Sequence, residues 1–181
     1  SSARFICLDI TTDNGFIIGG ETSGGGSTLC TGHGNTDYWI IKTDSLGNTL
    51  WQNCFGGSED DRINDIHQTL DGGYILAGTS YSFDGNVGSG FGDGDFWILK
   101  LDSSGSILWS KTYGGFGTED CFSISETPDH KYVACGRATF DSGDVTGTHG
   151  YNDCWVIKID SIGNLIWQKA LGGSLNDVAE D

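Results

Sequence analysis

The sequence is poor in several residue types, and each shortage excludes a class of protein. It has one proline, no methionine, and only nine Lys and Arg residues against 25 Asp and Glu residues, which gives a formal net charge of −16. Because an acidic surface repels a phosphate backbone, we expect no nucleic-acid partner. No run approaches the roughly 20 apolar residues of a membrane helix, so we expect no membrane insertion.

The sequence also lacks the short motifs that mark common catalytic and metal sites. It contains no GxSxG, no HExxH, no GxxxxGK[ST] and no CxxC pair. We therefore expect no enzyme activity and no certain cofactor. Cys121 and Cys135 lie on the two arms of one predicted hairpin and are candidates for a disulfide, with burial as small apolar residues as the alternative.

A 58-residue repeat organises the chain. Residues 95–115 have the sequence DFWILKLDSSGSILWSKTYGG. Residues 37–57 (DYWIIKTDSLGNTLWQNCFGG) and 153–173 (DCWVIKIDSIGNLIWQKALGG) are copies of it, and corresponding positions differ by 58 each time. A repeat of this length indicates one supersecondary unit that occurs three times.

Each copy of this stretch predicts a β-hairpin. In the middle copy, residues 96–101 and 107–113 are short apolar runs rich in β-branched and aromatic residues. Between them, Asp102 can accept hydrogen bonds from the turn backbone, and Gly105 can adopt the positive φ that closes the turn. Residues 96–101 do not alternate apolar with polar side chains, which predicts a strand buried on both faces.

The other half of the period predicts a second hairpin. Residues 63–71 lead through Gly72 and Gly73 into residues 74–79, and equivalent segments occur in the other repeats. Four short strands per period are typical of β-propeller blades, so we predict an all-β fold of three four-stranded blades. The predicted bounds are 1–57, 58–115 and 116–173, and residues 174–181 begin a fourth unit.

Three blades leave the assembly open. Closed propellers usually have about four to eight blades, so we expect an incomplete ring or one half of a six-bladed dimer. Residues 175–181 are in phase with residues 1–7, and in a dimer the two segments would compete for one strand position. This favours three consecutive blades of a longer protein, with a second copy of the chain or an open stack as the alternatives.

Two Trp residues and one Asp recur in every blade and predict its framework. Aromatic side chains at repeated positions dominate core burial, and a repeated carboxylate can bind loop backbone N–H groups. Lys42, Lys100 and Lys158 also recur, five residues after each Asp; we interpret this Asp and Lys pairing as structural, because a catalytic pair would occur once. The framework residues are Asp37, Asp95, Asp153, Trp39, Trp97, Trp155, Trp51, Trp109 and Trp167.

The long polar loops, residues 21–36, 80–94 and 137–152, carry the candidate binding residues. Oxygen-bearing side chains on a Gly-rich backbone suit calcium, which takes six to eight oxygen ligands, although the first loop departs from the pattern. The alternative is that these side chains cap turns. The calcium candidates are Asp84, Asn86, Asp93, Asp141, Asp144 and Asn152, and the candidates for stacking on sugar rings are Tyr81, Phe83, Phe91 and Tyr151.

The sequence GGSEDDRINDIHQTLDGGYILAGTS, followed by DFWILKLDSSGSILWSKTYGG, resembles the bacterial seven-bladed β-propeller (SBBP-like) repeat. Similar tandem repeats occur in secreted and cell-surface proteins of the Bacteroidetes type. The resemblance covers essentially the whole chain and supplies no catalytic residue. It implies a secreted or cell-surface location and a binding or scaffolding role.

These observations predict a non-enzymatic extracellular binding or scaffolding module that recognises a protein or glycan ligand through its long loops. Loops carry recognition more often than the framework that positions them. A carbohydrate-binding propeller is one alternative. The other is part of an enzyme whose active site lies outside this segment.

Overall fold

The computed structural model describes residues 2–23 and 33–179, and within these ranges every regular element is a β-strand. Residues 24–32 of the first long loop and the last two residues of the chain lie outside the described residues. The strands are β1 Ser2–Ile10, β2 Phe16–Ser23, β3 Thr36–Thr43, β4 Thr49–Phe55, β5 Asp61–Gln68, β6 Tyr74–Ser80, β7 Asp95–Leu101, β8 Ile107–Tyr113, β9 Asp120–Glu126, β10 Tyr132–Ala138, β11 Asp153–Ile159 and β12 Leu165–Leu171.

The strands form three four-stranded antiparallel sheets in simple up-and-down order, β1–β4, β5–β8 and β9–β12. The prediction of three four-stranded all-β repeats is thus confirmed, and we call the sheets blades one, two and three. The first strands lie together, because β5 contacts both β1 and β9. The sheets do not close into a ring, so the number of blades in the assembly stays a prediction.

The predicted turn chemistry is present in the repeated hairpins. Oδ1 of Asp102 accepts hydrogen bonds from the backbone N–H groups of Ser104 (2.8 Å) and Ser106 (2.9 Å). Gly105 has a φ of +83°, and its equivalents Gly47 and Gly163 have +82° and +81°. Because this left-handed conformation is cheap only for glycine, the same turn recurs in each blade.

The apolar residues form two cores, one between each pair of successive blades. In the first core, Tyr38 of blade one lies on Trp97 of blade two, with ring centroids 4.4 Å apart. In the second, Phe96 of blade two lies on Trp155 of blade three at 4.6 Å. Since Phe96 and Trp97 are neighbours on β7, this strand is buried on both faces, as its sequence predicts.

The repeated lysines do not pair with the repeated aspartates that precede them, and this part of the framework prediction is wrong. Lys42 Nζ instead donates to Asp13 Oδ2 (2.8 Å) and to the Thr43 carbonyl (2.7 Å). Lys100 makes the equivalent ion pair with Asp71. The partner comes from the other hairpin of the blade because the β2–β3 pairing brings that turn over the lysine.

Cys121 follows the predicted alternative of burial as a small apolar residue rather than the candidate disulfide. Cys121 lies opposite Gly136 rather than Cys135 in the β9–β10 ladder, and it is a buried thiol rather than half of a disulfide. Burial raises the pKa of the Cys121 thiol well above its usual value. Cys54 is disulfide-bonded. In the described part of the chain, we find no helix that is long and apolar enough to cross a membrane.

Candidate ligand-binding cleft

A cleft runs along the first strands of the three blades. Alternate residues of β1, β5 and β9 face it at positions related by the 58-residue period. One set of equivalent positions holds Arg4, Arg62 and Asp120. A cleft lined by equivalent positions is a consequence of the repeat, and its chemistry depends on how the three blades differ.

All three arginines of the sequence line this cleft, as Arg4, Arg62 and Arg137. This concentration stands out in a chain whose acidic residues outnumber its basic ones by 25 to nine. Arginine presents five N–H donors in a planar fork that matches carboxylate geometry, so the cleft is rich in donors for an anion.

In blade one and blade three, the cleft arginine is matched by an acid directly across the ladder. Arg4 on β1 is opposite Glu21 on β2, and Arg4 Nε donates to Glu21 Oε2 at 2.9 Å. Blade three reverses the charges, since Arg137 on β10 is opposite Asp120 on β9 and Arg137 Nε donates to Asp120 Oδ2 at 2.7 Å. Both guanidinium groups are therefore held in place by a carboxylate.

Blade two breaks this pattern. Arg62 on β5 is opposite Thr79 on β6, which carries no charge. The Arg62 guanidinium, with 51% of the side chain exposed, instead reaches the partly exposed Asp60 (3.0 Å) and lies over the Tyr81 ring, 5.8 Å from its centroid. Because Asp60, the acid that Arg62 bonds to among the described residues, is in solvent contact, Arg62 can exchange it for a ligand carboxylate.

Tyr81 connects the cleft with the second long loop. It lines the arginine cleft and also a neighbouring groove that includes Phe83, Asp84 and Asp93. Of the four predicted stacking residues, the structure thus brings Tyr81 and Phe83 together. Phe91 and Tyr151 do not line this groove, and Tyr151 is exposed on the loop of blade three.

Two of the three predicted calcium residues of the second loop hold backbone groups. Asp84 Oδ1 accepts the backbone N–H of Ser58 (2.7 Å), and Asn86 Oδ1 accepts that of Gly56 (3.2 Å). Asp93 is exposed and donates its own backbone N–H to the carbonyl of Gly117. Asp84 and Asn86 therefore fix the loop against the turn that joins blades one and two.

The third loop is similar. Asp141 Oδ1 accepts the backbone N–H of Thr148 (2.7 Å), Asp144 Oδ2 accepts that of Gly114 (3.4 Å), and Asn152 Nδ2 donates to Asn176 Oδ1 (3.0 Å). Within residues 2–23 and 33–179, no group of three or more His, Cys, Asp or Glu side chains is placed to hold a metal ion. Calcium binding stays a prediction.

The repeated aspartates lie at the corners where one blade leads into the next. Oδ2 of Asp95 accepts the backbone N–H of Phe91 (2.7 Å), and Oε2 of Glu119 accepts that of Gly115 (2.7 Å). Among the described residues, Oδ1 of Asp95 and Oε1 of Glu119 have no hydrogen-bond partner. Burial raises the pKa of Asp95 to about 6 and that of Glu119 to about 7, and the charge of Asp95 adds to the increase at Glu119.

The equivalent corners repeat the arrangement. Asp37 Oδ2 accepts the backbone N–H of His33 (2.9 Å), and Asp153 Oδ2 accepts that of His149 (2.5 Å). A Cβ atom at Gly56, Gly114 or Gly172 would collide with Oδ1 of the aspartate at its corner. The carboxylates therefore belong to the joint between blades and lie apart from the arginine cleft.

The repeated tryptophans pack within or between blades. The indole N–H groups of the β3, β7 and β11 tryptophans donate to residues on the adjacent strand. Trp51 packs on Tyr74 of the next blade (5.7 Å) and Trp109 on Tyr132 (6.1 Å). Their equivalent in blade three, Trp167, is 41% exposed.

A comparison with protein-family models found none that matches the chain, and a search of curated proteins found no match either. The resemblance to the seven-bladed repeat therefore rests on the repeated residues alone.

Sequence reasoning missed the arginine cleft, although a signal for it was present. Arg4 precedes Glu21 by 17 residues, and Asp120 precedes Arg137 by the same interval with the charges reversed. A conserved spacing with exchanged charges indicates a cross-strand pair at equivalent positions. Blade two has Arg62 and Thr79 at that spacing, which singles out Arg62.

Proposed function

We propose that this chain is a non-enzymatic binding module of propeller-type blades, related to the seven-bladed repeat proteins, and that its arginine cleft binds an acidic glycan. One observation carries the proposal: Arg62 lacks the cross-strand acid of its equivalents and lies half-exposed beside an aromatic ring. A guanidinium without a fixed carboxylate, next to a flat apolar surface, is suited to a ligand that offers both a carboxylate and a sugar ring.

The ligand would occupy the cleft in two parts. Its carboxylate would accept N–H groups of Arg62 in place of Asp60, and charge-assisted bonds of this kind are among the stronger protein hydrogen bonds. A sugar ring would lie on Tyr81. This arrangement retains the sugar-stacking role predicted for Tyr81, whereas Phe83 lies in the adjoining groove with Glu59, Asp84 and Asp93, whose carboxylates repel an acidic ring.

The charge of the cleft supports an anionic ligand. Its lining has three arginines against two acids, Glu21 and Asp120, whereas the chain as a whole has a net charge of −16. An anion approaching elsewhere on the surface meets repulsion. Added salt screens the attraction at the cleft and so weakens this contribution to binding.

A secreted or cell-surface location accompanies this proposal. The disulfide at Cys54 supports it, because such bonds persist mainly in oxidising compartments. Glycans that contain uronic acids are ligands a surface module could meet there. A scaffolding role is compatible with the same location, since binding at the cleft leaves the outer strands free.

Calorimetric titration with hexagalacturonic acid, and with cellohexaose as the neutral comparison, tests the proposal. We expect binding of the acidic oligosaccharide only, and a loss of affinity of about tenfold to a hundredfold for Arg62→Gln, as one charged hydrogen-bonding group is removed. Lys111→Gln is the control, because it removes the same charge from the exposed surface of the outer strand β8.

Three outcomes would contradict the proposal. Equal binding of both oligosaccharides would exclude recognition of the carboxylate. Equal losses in Arg62→Gln and Lys111→Gln would exclude the cleft as the site. Binding of an oligoglutamate peptide without binding of either oligosaccharide would exclude the glycan class.

A further inference from the structure

The two outermost blade faces differ in a way that makes them complementary. We call the face that carries Trp39, Trp97 or Trp155 the front of its blade, and the opposite face the back. In both cores, the back of one blade packs on the front of the next. The front of blade one and the back of blade three have no neighbouring blade within the described part of the chain.

The front of each blade has a hollow over a glycine, and the packing of the preceding blade depends on what fills it. In blade two, Ile63, Gly78 and Trp97 lie side by side on three neighbouring strands, and the glycine leaves a gap between the two larger side chains. Tyr38 from the back of blade one fills the gap. A Cβ atom at Gly78 would collide with the Tyr38 hydroxyl, which donates to the Trp97 carbonyl (3.3 Å).

Blade three has the same arrangement with different side chains. Its hollow lies between Cys121 and Trp155 above Gly136, and Phe96 from the back of blade two lies on Trp155. Each internal contact therefore combines a small or medium residue on the front with an aromatic residue from the back of the preceding blade.

Blade one reverses this combination. At the position of Ile63 and Cys121, blade one has Phe5. The Phe5 ring lies over Gly20 and stacks on Trp39 of the same blade, with centroids 5.1 Å apart and planes 22° apart. The hollow is thus already filled from within the blade. A blade packing here has no room for a second aromatic ring and needs a small residue at that position.

Blade three carries such a residue. On its back face, Cys154 occupies the position of Tyr38 and Phe96. The same face carries Leu171, which is 53% exposed, whereas its equivalents Phe55 and Tyr113 are buried. The pair Phe5 and Cys154 thus has the large side chain on the front and the small one on the back, which is the reverse of the pair Cys121 and Phe96.

We propose that the back of blade three docks on the front of blade one of a second copy of this chain, with Cys154 over the Phe5–Trp39 stack. Trp167 then meets Phe16 of the second copy, as Trp51 meets Tyr74 inside the chain. Residues 176–179, which are in phase with residues 2–5 and bond to blade three in the single chain, are displaced by β1 of the second copy. If the same two copies make this contact twice, six blades enclose the axis. This proposal is independent of the ligand in the cleft.

The net charge of −16 on each copy opposes the contact. Salt screens that repulsion and leaves the apolar contact intact, so association should strengthen between about 0.05 M and about 0.5 M NaCl. Association driven by surface ion pairs would show the opposite dependence.

The first test is the solution mass by light scattering over a range of concentrations. We expect multiples of 19.3 kDa that grow with concentration. Leu8→Asp, on the front of blade one, should raise the dissociation constant at least about tenfold, because a charge would enter an apolar contact. Leu108→Asp should leave it unchanged: Leu108 is 58% exposed, close to the 63% of Leu8, but lies in the blade that is covered on both faces.

The second test exchanges the sizes of the contacting residues. Cys154→Phe should weaken association, because two aromatic rings would compete for one hollow. Adding Phe5→Cys should restore it, because the contact then has the pair of side chains found at Cys121 and Phe96. Circular dichroism confirms that each variant is folded.

A wild-type chain that stays at 19.3 kDa at all concentrations would overturn the proposal. So would equal losses in Leu8→Asp and Leu108→Asp, which would indicate a different surface. Failure of the double variant to recover would rule out the proposed alignment of Phe5 with Cys154.

Discussion

Leu8 and Ile66 occupy the same position of the repeat but lie in very different surroundings. Ile66 is fully buried between blades one and two, whereas 63% of Leu8 is exposed on the front of blade one. Both are large aliphatic residues on the first strand of a blade. The repeat therefore determines which face of a strand is apolar, and the neighbouring blade determines whether that face is covered.

The largest expected effect comes from truncating these two side chains. Ile66→Ala should lower the free energy of unfolding by about 2–5 kcal/mol, because it leaves a cavity between two blades. Leu8→Ala should cost less than about 1 kcal/mol in dilute solution, where its face is open. Urea denaturation of both variants measures the difference, and equal losses would mean that the front of blade one is covered in the single chain.

The corner between blades two and three should make stability depend on pH. The pKa values of Asp95 and Glu119 are raised in the fold, so between their unfolded and folded values the native state binds more protons than the unfolded state. Stability should therefore fall as the pH rises through 6 and 7. We expect the protein to be more stable at pH 5 than at pH 8, by on the order of 1–3 kcal/mol.

Glu119→Gln tests this assignment because it removes the titrating group and keeps its size. Urea denaturation at both pH values should show a smaller difference for this variant. Asp177→Asn is the matched control, since Asp177 accepts the backbone N–H of Gly173 at the equivalent corner after blade three but is partly exposed. A full pH difference in Glu119→Gln would show that it arises elsewhere.

A smaller effect on the free energy of unfolding should distinguish the buried Lys100 from the partly exposed Lys158. Lys100 is almost fully buried and donates to Asp71 and to the Leu101 carbonyl, whereas Lys158 is more exposed and lies 3.6 Å from Asp129. Lys100→Met should cost about 1–2 kcal/mol through the lost hydrogen bonds. Lys158→Met should cost less than about 0.5 kcal/mol, and thermal unfolding compares the two.

The last prediction concerns binding at the cleft. Thr79→Glu gives blade two the cross-strand acid that Glu21 supplies to Arg4 in blade one. Because Thr79 is buried and donates to Asp120 Oδ1 (3.1 Å), circular dichroism has to confirm that the variant is folded before its binding is compared. Binding of hexagalacturonic acid should fall at least about fivefold, as Arg62 gains a fixed partner. Unchanged binding would show that Arg62 takes no part in ligand recognition.

The sequence led to only part of the candidate site. Tyr81 and Phe83 were predicted as ligand-stacking residues from the second long loop, and the structure brings them to one groove. Arg62 was not predicted from the sequence. Its significance depends on the register that places Thr79 opposite it, and register is a property of the paired strands.

The sequence by itself determined the period, the four strands of each blade and the hairpin turns. These features are local: strand propensity, a turn aspartate and a positive-φ glycine act over a few residues. Only the tertiary structure decided the partners of the repeated lysines, the gathering of all three arginines in one cleft and the open face that carries Leu8. These depend on how strands and blades pack against each other, so identical positions of the repeat acquire different burial and different partners.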